Sequence, residues 1–201
     1  MTIAAVILCG GKGQRLGGVN KALVEIGGAP LIAHLLPAVA GCTPVLAAVG
    51  REPFPLPAGV VTVRDLDTDY GGPLAGVAAA VDRLQGSDAE TLLSCAVDTP
   101  FFPRDFLAAA LPLLAGADVV MGSFAGQDYP TNALWRLAAL ADLPRQLRDG
   151  TAPHSLKRLT GGLRRVEIDY AARLPDDPFR NANTPEDLAF LRAKADTGRT
   201  G

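Results

Sequence analysis

The sequence predicts an α/β protein with a mostly parallel sheet and helices on both faces, a single domain in three layers. Three observations predict it. Short apolar runs rich in β-branched residues alternate with segments of helical period. A glycine-rich, cationic stretch follows the first run directly. Asp65 and Asp98 stand just beyond the third and fourth runs, where an open parallel sheet gathers its ligand groups.

Along the chain, the first strand is read over residues 3–8, which hold no polar side chain, as expected of a strand covered on both faces. A helix over 30–39 repeats Leu31, Leu35 and Ala38 at helical spacing, and a strand over 44–49 follows. Pro53, Pro55 and Pro57 mark an exposed loop. A strand over 60–64 leads into Asp65, Asp67 and Asp69, and a helix over 73–84 opens at Pro73, a residue suited to a first turn. The strand over 91–97 ends at Asp98. A helix over 104–114, a strand over 118–122, a helix over 133–140, a strand over 163–168 and a helix over 185–194 complete the alternation. Residues 1–195 are read as the domain and 196–201 as a frayed tail.

With 201 residues the chain can bury about 70% of the surface its unfolded form exposes. Its 19 basic and 21 acidic residues are mixed along the chain, so no broad positive field awaits duplex nucleic acid or an anionic membrane. The opening segment carries no basic leader, and no apolar run approaches the roughly 18 residues of a membrane span, which sets a cytoplasmic expectation. Cys9, Cys42 and Cys95 are too scattered for a disulfide framework or a paired thiolate metal site and read as small apolar fillers. His34 and His154 are the only histidines, which argues against histidine-rich zinc sites and Ser-His-Asp hydrolysis. A hard cation held by oxygen fits what remains.

Chemistry concentrates after the strands. From Leu8, Cys9 and Gly10 the chain runs through Gly11, Lys12, Gly13, Arg15, Gly17 and Gly18 to Asn20 and Lys21. Such glycines let backbone N–H groups converge on an anion while the cations add charge, so the stretch reads as a phosphate cradle and the ligand as a nucleotide. A glycine-rich turn that binds nothing is the plain alternative. Neither the P-loop nor the dinucleotide fingerprint fits, because no Gly-Lys pair precedes Ser or Thr and Leu16 stands where the fingerprint needs glycine.

Asp98 reads as a magnesium ligand delivered by a buried strand, or else as a turn-capping acid. Gly71, Gly72 and Gly76 flank Pro73 and either face a ligand or simply open a helix. Thr184, Pro185 and the early acids are explained as a helix start, whereas Asn181 and Asn183 are not, which makes them candidates for substrate or metal-shell contacts.

Leu8 to Lys21, Gly72 to Gly76, Asp98 to Pro103, Tyr129 to Trp135 and Asn181 to Leu188, in this order and spacing, resemble the molybdenum cofactor guanylyltransferases, the MobA family. The resemblance implies a Rossmann-like nucleotidyltransferase fold and transfer of GMP from GTP to the phosphate of molybdopterin, with Mg²⁺ required. It implies that Leu8, Cys9 and Gly10 line the guanosine pocket by backbone, with Gly76 among the nucleotide contacts. It further implies that Gly11, Lys12, Gly13 and Arg15 wrap the phosphates, Lys21 contacts the triphosphate and Asp65 binds the guanosine. Arg15, Lys21 and Asp98 would carry catalysis, Asp98 as the metal ligand, with Asn181 and Asn183 facing molybdopterin. Proteins that insert the product or mature molybdoenzymes are the implied partners.

The chain departs from the family pattern at Cys9, where alanine is usual, at Asn20, where aspartate commonly precedes the lysine, and at Ala48, where asparagine is frequent. The basic stretch toward molybdopterin is reduced to Lys157 and Arg158. A cytidylyltransferase acting on molybdopterin, a sugar-1-phosphate nucleotidyltransferase and a non-catalytic nucleotide carrier are the competing readings.

Overall fold

The first strand, β1 (Thr2–Leu8), divides its side chains between two cores. In the computed structural model, which describes residues 2–10, 20–50 and 53–197, Ala5, Ile7 and Cys9 face one side and Ala4, Val6 and Leu8 the other. Successive strand side chains alternate between faces, and here both faces are covered, which is why the run has no polar member.

The other elements are β2 (Glu25–Ile26), β3 (Ala29–Pro30), α1 (Leu31–Val39), β4 (Val45–Ala48), β5 (Val60–Val63), α2 (Gly72–Arg83) and β6 (Ala89–Ala96). After them come α3 (Phe106–Leu113), β7 (Val119–Phe124), β8 (Gln127–Arg136), α4 (Leu143–Arg148), α5 (Leu156–Gly161), β9 (Arg165–Asp169) and α6 (Pro185–Thr197). β2 and β3 form a small hairpin whose turn residues Gly27 and Gly28 have φ of 51° and 75°, a conformation that favours glycine at both places.

Seven strands make one sheet in the order β5-β4-β1-β6-β8-β7-β9. All neighbours are parallel except β8, which runs against both β6 and β7. Residues of α1, α3 and α6 cover the face that holds Ile7, and residues of α2, α4 and α5 cover the face that holds Val6. The expected layers are therefore present.

From β1 the chain builds outward through β4 and β5, then returns to place β6 on the other side of β1. The switch point lies between β1 and β6, and ligands of open α/β sheets bind at the carboxyl ends beside such a point. Gly10 and Asp98 follow those two ends.

The helix expected over 133–140 is a correction. Residues 133–136 belong to β8, and only a short 3-10 turn, Leu137–Leu140, follows. Ala133, Leu134 and Trp135 are fully buried, with Leu134 paired to Leu93 on one side and Val120 on the other. A strand covered on both faces gives a continuous apolar run that carries no period-2 signal. α6 continues to Thr197, past the expected 194, and residues 198–201 of the expected tail lie outside the described residues.

Candidate active site

At the end of β1 the backbone is already engaged. The Cys9 N–H donates to the Ala48 carbonyl at 2.9 Å, and the Leu8 carbonyl accepts from the Val97 N–H at 3.2 Å. What Cys9 offers a ligand is therefore its carbonyl, while its side chain packs into the core. This fits the filler reading of all three cysteines, which are buried. Gly10 is exposed at the rim. The expected phosphate-wrapping residues Gly11, Lys12, Gly13 and Arg15 lie outside the described residues.

Beside this strand end, Leu8, Gly10, Ala48, Asp65, Gly72, Pro73 and Gly76 line one small depression. Three separate sequence signals meet in it: the strand-1 end, the acid after β5 and the glycine-proline entry to α2. Gly76 has a packing reason to be glycine, because a Cβ there would lie 3.0 Å from both the Ala48 Cβ and the Leu8 Cδ2. α2 can thus approach the sheet closely beneath the depression, with alanine rather than a larger residue at position 48. Proline stands in the first turn of α2, as the helix-entry reading requires. Asp67 and Asp69 are exposed, as expected of loop acids, and Lys157 and Arg158 are exposed on α5.

Lys21 opens a 3-10 turn, Lys21–Leu23, whose N-cap is Asn20. The Asn20 side-chain oxygen accepts from the Ala22 N–H at 3.0 Å. That is work a neutral amide performs as well as a carboxylate, which gives the departure from aspartate a physical account. From this turn the Lys21 ammonium reaches the Asp98 Oδ2 at 3.1 Å and also donates to the Asn183 Oδ1. Lys21 and Asp98 are largely but not fully buried, with side chains 17% and 20% exposed. One cation thus joins the residues predicted to meet the triphosphate and the metal to one predicted to meet the acceptor.

The segment that carries Asn183 is fixed at several points. The Ala182 N–H donates to the Asp98 carbonyl at 2.8 Å. Ala182 itself is buried, and Asn181 and Asn183, two residues apart, are half-buried around it. Upstream, Phe179 is fully buried among Phe102, Tyr129 and Tyr170. Its ring fills the space above Gly122, where a Cβ would stand 2.3 Å from the Phe179 Cζ. The Tyr129 hydroxyl donates to Asp177, whose other oxygen accepts from the Phe179 N–H at 2.9 Å. Downstream, Thr184 Oγ1 accepts from the Asp187 N–H at 3.1 Å while Asp187 Oδ2 accepts from the Thr184 N–H at 3.2 Å. This reciprocal capping box starts α6 where the sequence places its cap.

Behind Asp98 stands a polar pair: Thr99, which the sequence suggests as a turn-shaping residue, and Asn132, which lies in the Tyr129 to Trp135 stretch with no role assigned there. Asn132, on β8, and Thr99 are both fully buried. The Asn132 Oδ1 accepts from the Ala96 N–H at 2.9 Å and faces the Thr99 hydroxyl at 3.2 Å. The misassigned β8 hid this relationship, because a helix over 133–140 gives Asn132 no strand neighbour.

Among the described residues no group of three His, Cys, Asp or Glu side chains could enclose a metal. A hard cation would instead take one carboxylate, neutral oxygens and ligand phosphates, the usual arrangement for magnesium.

The strand order around β1 and the cation and carboxylate meeting at its switch point go with the class that comparison of the sequence gives, a nucleotidyltransferase. The pattern described as the MobA-like NTP transferase domain matches residues 5–166, and the chain belongs to that family. It is 39% identical over 193 residues to a molybdenum cofactor guanylyltransferase of Rhodobacter capsulatus, covering 94% of each chain. A protein of the same name from Acidiphilium cryptum is 38% identical over 193 residues, with 95% and 94% covered. In fold, the chain resembles molybdopterin-guanine dinucleotide biosynthesis protein A from Archaeoglobus fulgidus, with a TM-score of 0.73, 22% identity and 98% and 100% of the chains covered. It also resembles a 2-C-methyl-D-erythritol 4-phosphate cytidylyltransferase from Thermus thermophilus, with a TM-score of 0.72, 19% identity and 98% and 100% covered.

Proposed function

We propose that this protein transfers GMP from GTP to the phosphate of molybdopterin, releasing pyrophosphate and giving a molybdopterin guanine dinucleotide. The observation that carries the reading is the Lys21 ammonium lodged between Asp98 and Asn183 at the switch point of the sheet. The relatives of the same name along nearly the whole chain support the choice of substrates.

In this reading an oxygen of the acceptor phosphate attacks the α-phosphorus of GTP. The new P–O bond forms as the bond to the β-phosphate bridging oxygen breaks, and pyrophosphate leaves. A phosphate monoester is already largely ionised near neutral pH, so no side chain has to remove a proton. Catalysis rests on positioning and charge neutralisation, which suits a site without histidine. The guanosine would lie over the small depression beside Asp65, with the carboxylate accepting from N–H or hydroxyl donors of the nucleoside. The glycine loop takes the phosphates, and Lys21 turns from Asp98 toward them.

Magnesium is the cofactor this reading requires. The fit of the site is supported by the ammonium itself, since one cation is already held by the Asp98 and Asn183 oxygens. Asp98 and Asn183 would hold Mg²⁺, and Asn181, on the same side of the extended segment, would face the acceptor. Bound there, Mg²⁺ would neutralise phosphate charge as it shifts in the reaction. A cytoplasmic address follows from these substrates, and no helix among the described residues is long and apolar enough to cross a membrane.

The test is pyrophosphate release with molybdopterin, Mg²⁺ and each of GTP, CTP, ATP and UTP. Release with GTP well above the other three is expected, and a clear preference for CTP would overturn the assignment.

A further inference from the structure

β8 does not pair evenly along its length. Its register with β7 steps from Met121 opposite Ala133 to Gly122 opposite Tyr129, so residues 130–132 bulge out of the ladder. The bulge contains Pro130, which has no N–H to give. Regular pairing of β6 with β8 reaches Ser94 opposite Ala133. Beyond it, the Ala96 N–H finds the Asn132 side-chain oxygen at 2.9 Å. A side chain therefore does the work of a ladder carbonyl at the last residue of β6.

The same oxygen faces the Thr99 hydroxyl at 3.2 Å, and that hydroxyl lies 2.7 Å from the Ala96 carbonyl. The Thr99 N–H also returns to the Ala96 carbonyl at 3.1 Å. Asp98 sits inside this closed set of contacts. Its direction out of β6 is set by Asn132 and Thr99 together with the Val97 N–H on the Leu8 carbonyl and the Ala182 N–H on the Asp98 carbonyl.

The arrangement leaves a cost. The Asn132 Nδ2 is buried and has no hydrogen-bond partner among the described residues. A leucine of similar volume would remove this unpaired donor but strand the buried Ala96 N–H in its place, so the position calls for the asparagine oxygen. That oxygen ties the last residue of β6 to the hydroxyl one residue beyond Asp98, so it holds the backbone on either side of the carboxylate.

We infer that Asn132, acting through Thr99, is a positioning residue that fixes the Asp98 carboxylate for the metal. This rests on the reading of Asp98 as the metal ligand. The test is titration of Mn²⁺, followed by electron paramagnetic resonance, into protein with a non-hydrolysable GTP analogue. Asn132→Leu, Thr99→Val, Thr99→Ser and Asp98→Ala are compared with the unchanged protein, and thermal midpoints are recorded alongside.

Asn132→Leu and Thr99→Val are each expected to weaken Mn²⁺ binding by about tenfold, the scale of lost outer-shell support, with a lowered thermal midpoint for Asn132→Leu, which strands the Ala96 N–H, and a midpoint near that of the unchanged protein for Thr99→Val. Thr99→Ser, which keeps the hydroxyl, is expected to bind normally. Normal Mn²⁺ affinity in both Asn132→Leu and Thr99→Val, with Asp98→Ala strongly weakened, overturns this inference alone. Normal affinity in Asp98→Ala overturns the underlying metal assignment. Should Asn132→Leu fail to fold, the contrast between Thr99→Val and Thr99→Ser decides.

Discussion

The Lys21 ammonium stands 3.1 Å from the Asp98 carboxylate and shares itself with the Asn183 side-chain oxygen. It closes the gap between the end of β6 and the segment before α6, and it occupies the place proposed for a divalent ion. Lys21→Met is therefore expected to act in two directions. Turnover falls by about a hundredfold or more, the scale of a lost transition-state cation. Mn²⁺ binding without nucleotide becomes tighter, because the competing cation is gone. Calorimetric titration of the nucleotide-free proteins checks the second effect, and weaker binding in the variant would count against the stand-in reading.

Asn20 makes a separable contribution. Loss of its cap in Asn20→Ala is expected to cost about 1 kcal/mol of stability and to raise the KM for GTP by loosening the turn that presents Lys21. Asn20→Asp should match the unchanged protein in urea unfolding, since either side chain accepts from the Ala22 N–H.

The Gly122 and Phe179 pair offers a test of how the asparagine segment is aimed. A methyl at position 122 would meet the Phe179 ring at 2.3 Å. Gly122→Ala is expected to lower stability by about 1–3 kcal/mol, the usual cost of overpacking a core. Because the displaced ring leads directly into Asn181 and Asn183, the KM for the acceptor should rise more than that for GTP. Equal changes in both would argue that the ring supports the fold alone.

Burial pushes the Cys9 thiol up to about 12 and the Cys42 thiol up to about 11, and it raises Cys95 as well. All three thiols are thus protonated at pH 8 and out of reach of reagents. Iodoacetamide is expected to leave the native protein unmodified over the time in which the urea-unfolded chain takes up three labels, read by mass spectrometry.

Acid stability has an identifiable contributor. Hydrogen bonds from the Arg164 side chain and backbone, reinforced by its charge, hold the Asp118 carboxyl down at about 2. A carboxyl more acidic in the folded than in the unfolded chain stabilises the fold above its unfolded value near 4, and that contribution is lost as pH falls toward 2. Asp118→Asn should accordingly melt lower than the unchanged protein at pH 7. The two midpoints should converge as pH approaches 2.

Much of the fold was legible because parallel strands leave unbroken apolar runs and helices leave their period. β8 was not, since Ala133, Leu134 and Trp135 are buried on both sides and alternate with nothing. In the site, Lys21 and Asp98 could be nominated from their places after strands, but that they touch could not. Asn183 was suspected because capping left it unexplained, and its bond to Lys21 supplies the explanation. Gly76 was read toward the ligand, and its nearest neighbours are Ala48 and Leu8 of the sheet. Asn132 lies within the Tyr129 to Trp135 stretch, yet its contacts are not legible in sequence because they come from a bulge, and bulges leave no periodic trace.

The bond between Lys21 and Asn183 joins residues 162 positions apart. While the polypeptide is being synthesised, the glycine loop, β1 and β6 are complete long before Asn183 emerges. A chain cut short before that point lacks the Asn183 contact and the core residues of α6 alike. Phe179, Ala182, Leu188 and Leu191 enter the core in the same stretch, so the last part of the chain to be made closes one face of the sheet as well as the contact with Lys21.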